Sequence, residues 1–184
     1  MSSLWQKRQF VEHLYRGEVV AYPTEAVFGL GCDPMNEEAV FRLLALKKRS
    51  WRKGLILIAA NLQQLEPYIQ RPSSSVLNRI LATFDEPTTW VLPAKPNVPV
   101  WLTGQYDTLA VRLTQHPLAK ELCEYAQMAI VSSSANVSGC EPFKTGYQTR
   151  LKFSQEGVYT INGKVGGFEK PSRLIDPLSN RQLR

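Results

Sequence analysis

The sequence has few of the residues that build covalent or metal frameworks. Its 184 residues include three cysteines and two histidines. Cys32, Cys123 and Cys140 are an odd number, lie far apart and form no CxxC pair, which speaks against a disulfide framework and against a zinc site. We therefore predict no metal site, and we expect each cysteine to be a small buried apolar residue in a reducing compartment.

Long apolar runs are also missing. No segment approaches the roughly 20 apolar residues that a membrane helix needs. Residues 1–10 are polar, carry Lys7 and Arg8, and contain no apolar signal core. These features predict a cytoplasmic protein with no membrane association.

The common signatures of nucleotide-binding and hydrolytic enzymes are absent. The chain contains no GxxxxGK(S/T) loop, no GxGxxG turn and no nucleophile elbow. Neither His13 nor His116 has the partner pattern of a catalytic triad, so we expect both to lie on a helix surface or to cap a helix. The sequence therefore predicts no dedicated general base.

What is present fits one folded unit with an anionic ligand. Hydrophobic residues make up 43% of the chain, charged residues 21%, and the net charge is +6. These values and the length predict a single domain over residues 1–184. Seven residues contain five cations and no acid: Lys47, Lys48, Arg49, Arg52 and Lys53. Such a cluster can hold phosphate groups, and a solvated helix end is the alternative.

Apolar periodicity predicts alternating helices and strands. The predicted helices are one that ends at Gly17, one capped by Asn36, and two more over residues 73–84 and 117–126. The predicted strands cover residues 19–22, 55–60, 89–92, 108–113, 129–133, 158–161 and 174–175, with a mobile loop between the last two. This alternation, with short connections, predicts an α/β fold with a mixed parallel and antiparallel sheet.

One candidate ligand contact lies in YPTEAVFGLG, residues 22–31. A buried strand stops at Pro23 and exposes a hydroxyl and a carboxylate in a turn. Thr24 either hydrogen-bonds a ligand or, with Glu25, caps the turn that follows.

A second candidate is Arg112, the one charge in the apolar run LAVRL, residues 109–113. A buried arginine needs a partner, because an unpaired charge in the interior is costly. It either meets an internal acid, such as Glu25 or Asp107, or binds the carboxylate of a ligand through two hydrogen bonds.

The third candidate is VSSSANVSG, residues 131–139, in which a predicted strand runs into small polar side chains. Hydroxyls and backbone N–H groups in such a loop can form an anion or ribose site, and a plain turn is the alternative.

Taken together, these motifs resemble the YrdC-like threonylcarbamoyl-AMP synthases, in order and spacing, over nearly the whole chain. The match runs from about Val20 to Arg184 and is closest to the single-domain bacterial form. The motifs that carry it are YPTEAVFGLG, the K-x-R of Lys47 and Arg49, KGLILIAAN at 53–61, PVWLTG at 99–104, AVR at 110–112, the S-x-N of Ser134 and Asn136, and Pro171-Ser172 followed by Asp176.

The resemblance implies a strongly twisted mixed sheet with helices on both faces and a large basic concave face. It implies a nucleotidyltransferase that condenses L-threonine, bicarbonate or CO2, and ATP into threonylcarbamoyl-adenylate and pyrophosphate, with Mg2+ bound through ATP. A separate transferase complex would pass the threonylcarbamoyl group to the adenosine beside the anticodon of tRNA.

The resemblance also implies roles for single residues. Thr24, Arg112, Ser132 and Ser172 correspond to threonine contacts. Lys47 and Arg49 correspond to the catalytic cations beside the phosphates of ATP, and Ser134, Asn136 and Arg184 to further ATP contacts. The family's basic face leaves one alternative, a non-catalytic module that binds double-stranded RNA or the ribosome.

Overall fold

The structure, a computed structural model, describes residues 2–82, 86–179 and 181–183. These residues form six α-helices: α1 (Leu4–Tyr15), α2 (Glu37–Lys47), α3 (Ser74–Leu81), α4 (Val100–Thr103), α5 (Pro117–Ala126) and α6 (Gly146–Phe153). They also form nine strands: β1 (Val20–Pro23), β2 (Phe28–Gly31), β3 (Ile56–Ala59), β4 (Thr88–Pro93), β5 (Thr108–Leu113), β6 (Ile130–Ser134), β7 (Tyr159–Thr160), β8 (Arg173–Asp176) and β9 (Arg181–Gln182).

The strands form one sheet in the order β7-β1-β2-β6-β3-β5-β4-β8-β9. The pairs β1–β7, β3–β5 and β4–β8 are parallel, and the other neighbouring pairs are antiparallel. The short hairpins β1–β2 and β8–β9 lie near the two ends of the chain, and each connection from β2 to β7 contains a helix. The prediction of a mixed α/β sheet is confirmed.

Helices cover both faces of this sheet, because neighbouring strand residues point to opposite sides. Leu57 packs in the larger apolar cluster, to which α2, α3 and α6 contribute. Ile58, the next residue, packs in a second cluster with α1 and α5. No helix in the described part of the chain has the length and apolarity of a membrane span.

The second face changes character partway along the strands. Ile58 and Ile130, which are directly paired between β3 and β6, are buried beneath α1 and α5. Two residues further along, the paired Ile56 and Ser132 line an open cavity instead. Because side chains two apart share a face, the cavity continues the same surface beyond the edge of the helices.

Local capping agrees with the helix predictions. The Asn36 side chain accepts a hydrogen bond from the Ala39 N–H at 3.0 Å and so begins α2. The His116 ring caps α5 in the same way, through the Ala119 N–H at 3.2 Å. His13 lies on α1 and stacks on Tyr159, with ring centroids 4.5 Å apart.

Three sequence-based expectations need correction or restriction. Cys32 and Cys123 are buried as predicted, but Cys140 is exposed. The strands β2 and β9 were not predicted, and neither were α4 and α6. The predicted helix over 73–84 is observed as α3, and its predicted end at residues 83–84 lies outside the described residues.

Candidate active site

A cavity of about 380 Å³ opens on the polar part of the second sheet face. It brings together seven residues that the sequence singles out: Thr24, Arg49, Arg112, Ser132, Ser134, Asn136 and Ser172. Lys47 does not line the cavity, but it donates a hydrogen bond to Ser134, which does. Arg184 lies outside the described residues. Residues from distant parts of the chain thus meet in one hollow.

Thr24 directly follows β1 and lines the cavity. Its hydroxyl donates to the Val27 carbonyl oxygen at 2.7 Å, and its backbone N–H donates to the same oxygen at 2.9 Å. These two bonds close the turn between β1 and β2, which was one of the two roles considered for Thr24. The side chain is 6% exposed and still lines the cavity, so the turn also positions it for a ligand.

Arg112 meets an internal acid. Its Nη2 atom lies 3.4 Å from Oε2 of Glu25, and both side chains are buried. The other oxygen of Glu25 accepts hydrogen bonds from the Thr114 hydroxyl at 2.7 Å and from the Gln115 N–H at 3.1 Å. Of the two acids considered, Glu25 is the partner, and Nε of Arg112 has no hydrogen-bond partner among the described residues.

The Glu25 carboxylate is held in its charged form. Burial by itself raises the pKa of Glu25, but the Arg112 guanidinium and the hydrogen bonds from Thr114 and Gln115 outweigh it, so the pKa lies below its ordinary value. Glu25 therefore offsets the charge of Arg112 and fixes the orientation of the guanidinium at the cavity.

Replacing Glu25 by glutamine should destabilise the fold at pH 7 by about 3 kcal/mol, because Arg112 would lose its buried counter-charge. The folded pKa is the lower one, so ionised Glu25 contributes stability above the unfolded pKa and loses it as the pH falls through the folded pKa. Urea unfolding should give a difference in the free energy of unfolding between wild type and Glu25→Gln, and this difference should become smaller below about pH 4. Glu66→Gln is the control, because Glu66 is exposed. A difference in unfolding free energy between wild type and Glu25→Gln that does not change with pH would contradict the prediction.

Lys47 and Arg49, at the end of α2 and just after it, have different environments. Lys48, the C-cap residue, adopts a left-handed conformation with φ 49°, which reverses the chain after Lys47. Arg49 then lines the cavity, and its Nη2 atom donates to the Gly54 carbonyl oxygen at 3.0 Å. Lys47, by contrast, is 2% exposed.

The Lys47 ammonium lies behind the Ser-rich loop. It donates to the carbonyl oxygen of Ser134, to that of Asn136 at 2.9 Å and to the Asn136 side-chain oxygen at 3.1 Å. Burial lowers the pKa of Lys47 to about 8, and nearby Arg49 lowers it in the same direction. Lys47 thus supports the loop from within, and its contact with phosphate groups stays a prediction.

Hydrogen bonds from its own side chains stabilise the segment at the end of β6 and the loop that follows. Ser134 donates its hydroxyl proton to the Asn136 side-chain oxygen at 2.7 Å, and the Asn136 amide donates to the Cys140 carbonyl oxygen at 2.6 Å. These contacts, with Lys47 beneath them, hold Ser134 and Asn136 at the cavity rim.

Ser172 reaches the cavity from the opposite side. Its hydroxyl lies 2.8 Å from that of Thr89 on β4, and it is 6% exposed. The segment before it was predicted to be a mobile loop. Instead, the N–H groups of Gly166 and Phe168 donate to the carbonyl oxygens of Thr24 and Glu25 at 3.0 and 3.1 Å, which ties this segment to the turn after β1.

Sequence reasoning missed four charged residues of the cavity wall: Lys144, Lys170, Glu141 and Glu169. They follow or precede the recognised motifs in segments without apolar periodicity, so no local signal marked them. The two lysines add positive charge beside Arg49 and Arg112. The described residues contain no group of three histidine, cysteine or acidic side chains that could hold a metal ion.

Comparison with known proteins identifies the family. The Sua5/YciO/YrdC family model, described as "Telomere recombination", matches residues 12–184. The chain belongs to the Sua5/YciO/YrdC family. The resemblance noted from the motifs is therefore confirmed, and membership extends over almost all the elements that form the sheet and cavity.

Relatives within the Sua5/YciO/YrdC family are similar along most of the chain. A threonylcarbamoyl-AMP synthase of Yersinia pestis (strain Pestoides F) is 50% identical over 179 residues, which are 95% of this chain and 92% of the relative. The same values hold for the threonylcarbamoyl-AMP synthase of Yersinia pseudotuberculosis serotype O:1b (strain IP 31758).

Solved structures give the same picture. P. abyssi Sua5 complexed with L-threonine superposes with a TM-score of 0.85 and 31% identity over 94% of this chain. This chain spans 51% of that protein. E. coli YciO, with a TM-score of 0.78 and 21% identity over 95% of this chain and 84% of its own, shares the fold.

Proposed function

We propose that this chain is a threonylcarbamoyl-AMP synthase, a nucleotidyltransferase that condenses L-threonine, bicarbonate or CO2, and ATP into threonylcarbamoyl-adenylate and pyrophosphate. The relatives that are 50% identical over nearly its whole length carry this name. The observation that carries the proposal is that one cavity holds Arg112 beside Thr24 and Ser132, and Arg49 beside Ser134 and Asn136. An amino acid and a nucleotide can therefore bind next to each other.

The threonine side is proposed around Arg112. The guanidinium, which lines the cavity, would bind the amino-acid carboxylate through paired hydrogen bonds. Thr24, Ser132 and Ser172 surround it with small polar side chains. P. abyssi Sua5, which has been solved with L-threonine, supports this assignment because its fold matches over 94% of the chain.

The nucleotide side is proposed around Arg49. Ser134 and Asn136 would contact ATP from the loop after β6, with Lys47 behind them and Arg184 as a further contact. Lys144 and Lys170 also line the cavity, together with Glu141 and Glu169. Since the described residues offer no group of three metal ligands, Mg2+ would bind mainly through the phosphates of ATP.

The chemistry brings two anions together. After the neutral amine of threonine has added to CO2 and released a proton to water, a carbamate oxygen attacks the α-phosphorus of ATP, a new O–P bond forms, and the bond to pyrophosphate breaks. Arg49 and the other cations that line the cavity, with Lys47 behind the loop, would offset the charge that accumulates. Carbamate formation from an amine is intrinsically easy, so positioning can replace a dedicated base.

The wider context is also proposed. The product would go to a separate transferase complex that modifies tRNA in the cytoplasm, and the whole chain would act as one domain. The alternative of a non-catalytic RNA-binding module has no support from the named relatives. Contact with tRNA or double-stranded RNA can coexist with the synthase activity.

The purified chain should release pyrophosphate from ATP only when threonine and bicarbonate are both present. Labelled bicarbonate should appear in an adduct with AMP, because the carbamate is the nucleophile in this reaction. Pyrophosphate release and label incorporation are the measurements, with omission of threonine as the control. Salt-sensitive RNA binding without threonine-dependent release would instead support the non-catalytic alternative.

A further inference from the structure

The floor of the cavity has a gap at Gly29. This residue is on β2, directly paired with Tyr22 on β1 and with Ser134 on β6, so its missing side chain would project from the cavity face. A strand interior is an unfavourable place for glycine, because the backbone loses more entropy and there is no side chain to pack. Gly29 is not at positive φ, so its backbone conformation does not require glycine.

A Cβ atom would fill the gap at Gly29 completely, and the gap has two unlike walls. A Cβ atom at Gly29 would lie 3.2 Å from the Thr24 methyl carbon, 3.4 Å from the Ser132 hydroxyl oxygen and 3.6 Å from the Ser133 carbonyl oxygen. The Thr24 hydroxyl is already bonded to Val27, so this residue presents its methyl group to the gap. One wall is thus apolar and the other polar.

Gly31, on the same face of the same strand, is different. A Cβ atom there would lie 2.6 Å from the Val131 carbonyl oxygen and 2.8 Å from the Tyr22 ring. Its space is already filled by neighbours, so Gly31 serves close packing. At Gly29 the closest contact of a Cβ atom, 3.2 Å, is tight but is not a clash, and the position lines the cavity, so Gly29 rather than Gly31 leaves an opening toward a ligand.

We propose that Gly29 is a specificity-determining residue, whose missing side chain leaves the recess that receives the β-methyl group of threonine. This inference rests on the proposed function. The Thr24 methyl group would contact the substrate methyl group, and the Ser132 hydroxyl would face the substrate hydroxyl. Arg112, in the same cavity, would hold the carboxylate. Serine, which lacks the methyl group, would leave the recess empty and bind less well.

The test is the Gly29→Ala variant, assayed with threonine and with serine. An alanine methyl group would occupy the recess, so kcat/KM for threonine should fall by roughly 10- to 100-fold, in the range expected for one methyl group in a pocket. The value for serine should change by less than about 3-fold, and KM for ATP should stay the same. The preference for threonine over serine should therefore shrink by at least about 10-fold.

Two further variants sharpen the result. Thr24→Ser keeps the hydroxyl that closes the turn and removes only the methyl wall, so it should also reduce the preference for threonine, by a smaller factor. Gly146→Ala is the matched control, because Gly146 is outside the cavity lining and a Cβ atom there would meet the edge of the Phe28 ring at 3.3 Å and the Asn162 side-chain oxygen at 3.9 Å. It should leave the preference unchanged.

An equal loss with threonine and serine in Gly29→Ala, or no change with either, would overturn the inference while leaving the synthase function intact. A wild-type chain that releases no pyrophosphate with any amino acid would instead overturn the proposed function. Thermal unfolding of Gly29→Ala should match wild type within a few degrees, since the strand conformation accepts alanine.

Discussion

Replacing Arg112 by lysine should lower kcat/KM for threonine by roughly 100-fold, equivalent to about 2.7 kcal/mol. Lysine keeps the positive charge opposite Glu25, but it lacks the planar fork that binds a carboxylate through two parallel hydrogen bonds. The loss should appear mainly in KM for threonine, with KM for ATP nearly unchanged. Steady-state pyrophosphate release with each substrate varied in turn measures both.

The lysine variant is preferred to alanine because removing the charge would leave Glu25 buried without a partner, at a cost of about 3–5 kcal/mol. Arg150→Lys is the matched control. Arg150 bonds the Thr160 carbonyl oxygen and the Asn162 side chain, and it does not line the cavity. Normal threonine kinetics in Arg112→Lys would contradict the proposed carboxylate contact.

Replacing Lys47 by methionine should cost about 1–3 kcal/mol in kcat/KM for ATP, the usual penalty for removing a buried charged donor from its acceptors. Methionine has a similar length but no charge, so three oxygen atoms of Ser134 and Asn136 would each lose one donor. The loop would then present its hydroxyl and amide less precisely to the nucleotide. The loss should appear in the kinetics with ATP varied, and less with threonine varied.

Lys48→Met is a close control, since Lys48 is the next residue, carries the same charge and is exposed. It should retain nearly normal kinetics. The pKa of Lys47, lowered to about 8, adds a second readout. A neutral amine has two donors for three acceptors, so KM for ATP in the wild type should rise above about pH 8. Equal activity of Lys47→Met and Lys48→Met would show that Lys47 has no such role.

Local patterns were sufficient for most of the sheet. The strands β1, β3, β5 and β6 are short apolar runs with turn residues at their ends, and such runs indicate buried strands directly. Likewise, the Asn36 cap and the proline at the start of α5 mark helix starts that the structure bears out. These signals are local, so a reading of the sequence captures them.

The missed elements depend on distant partners. In β2, Gly29 and Gly31 give little strand propensity, and the strand exists because β1 and β6 bond to it on both sides. In α6 only Thr149 and Phe153 are buried, so the helix shows no apolar stripe. Its start is set by the Thr145 cap, whose hydroxyl accepts a bond from the Gln148 N–H.

The order and spacing of the motifs were enough to indicate the family, the class of fold and the residue types of an amino-acid and nucleotide site. Only the tertiary structure decided that Arg112 pairs with Glu25, and that Lys47 lies behind the loop while Arg49 lines the cavity. It also decided that the gap at Gly29 opens between a methyl group and a hydroxyl group. The physical reason is distance along the chain: Lys47 and its acceptor Ser134 are 87 residues apart, and such contacts exist only after the strands have paired.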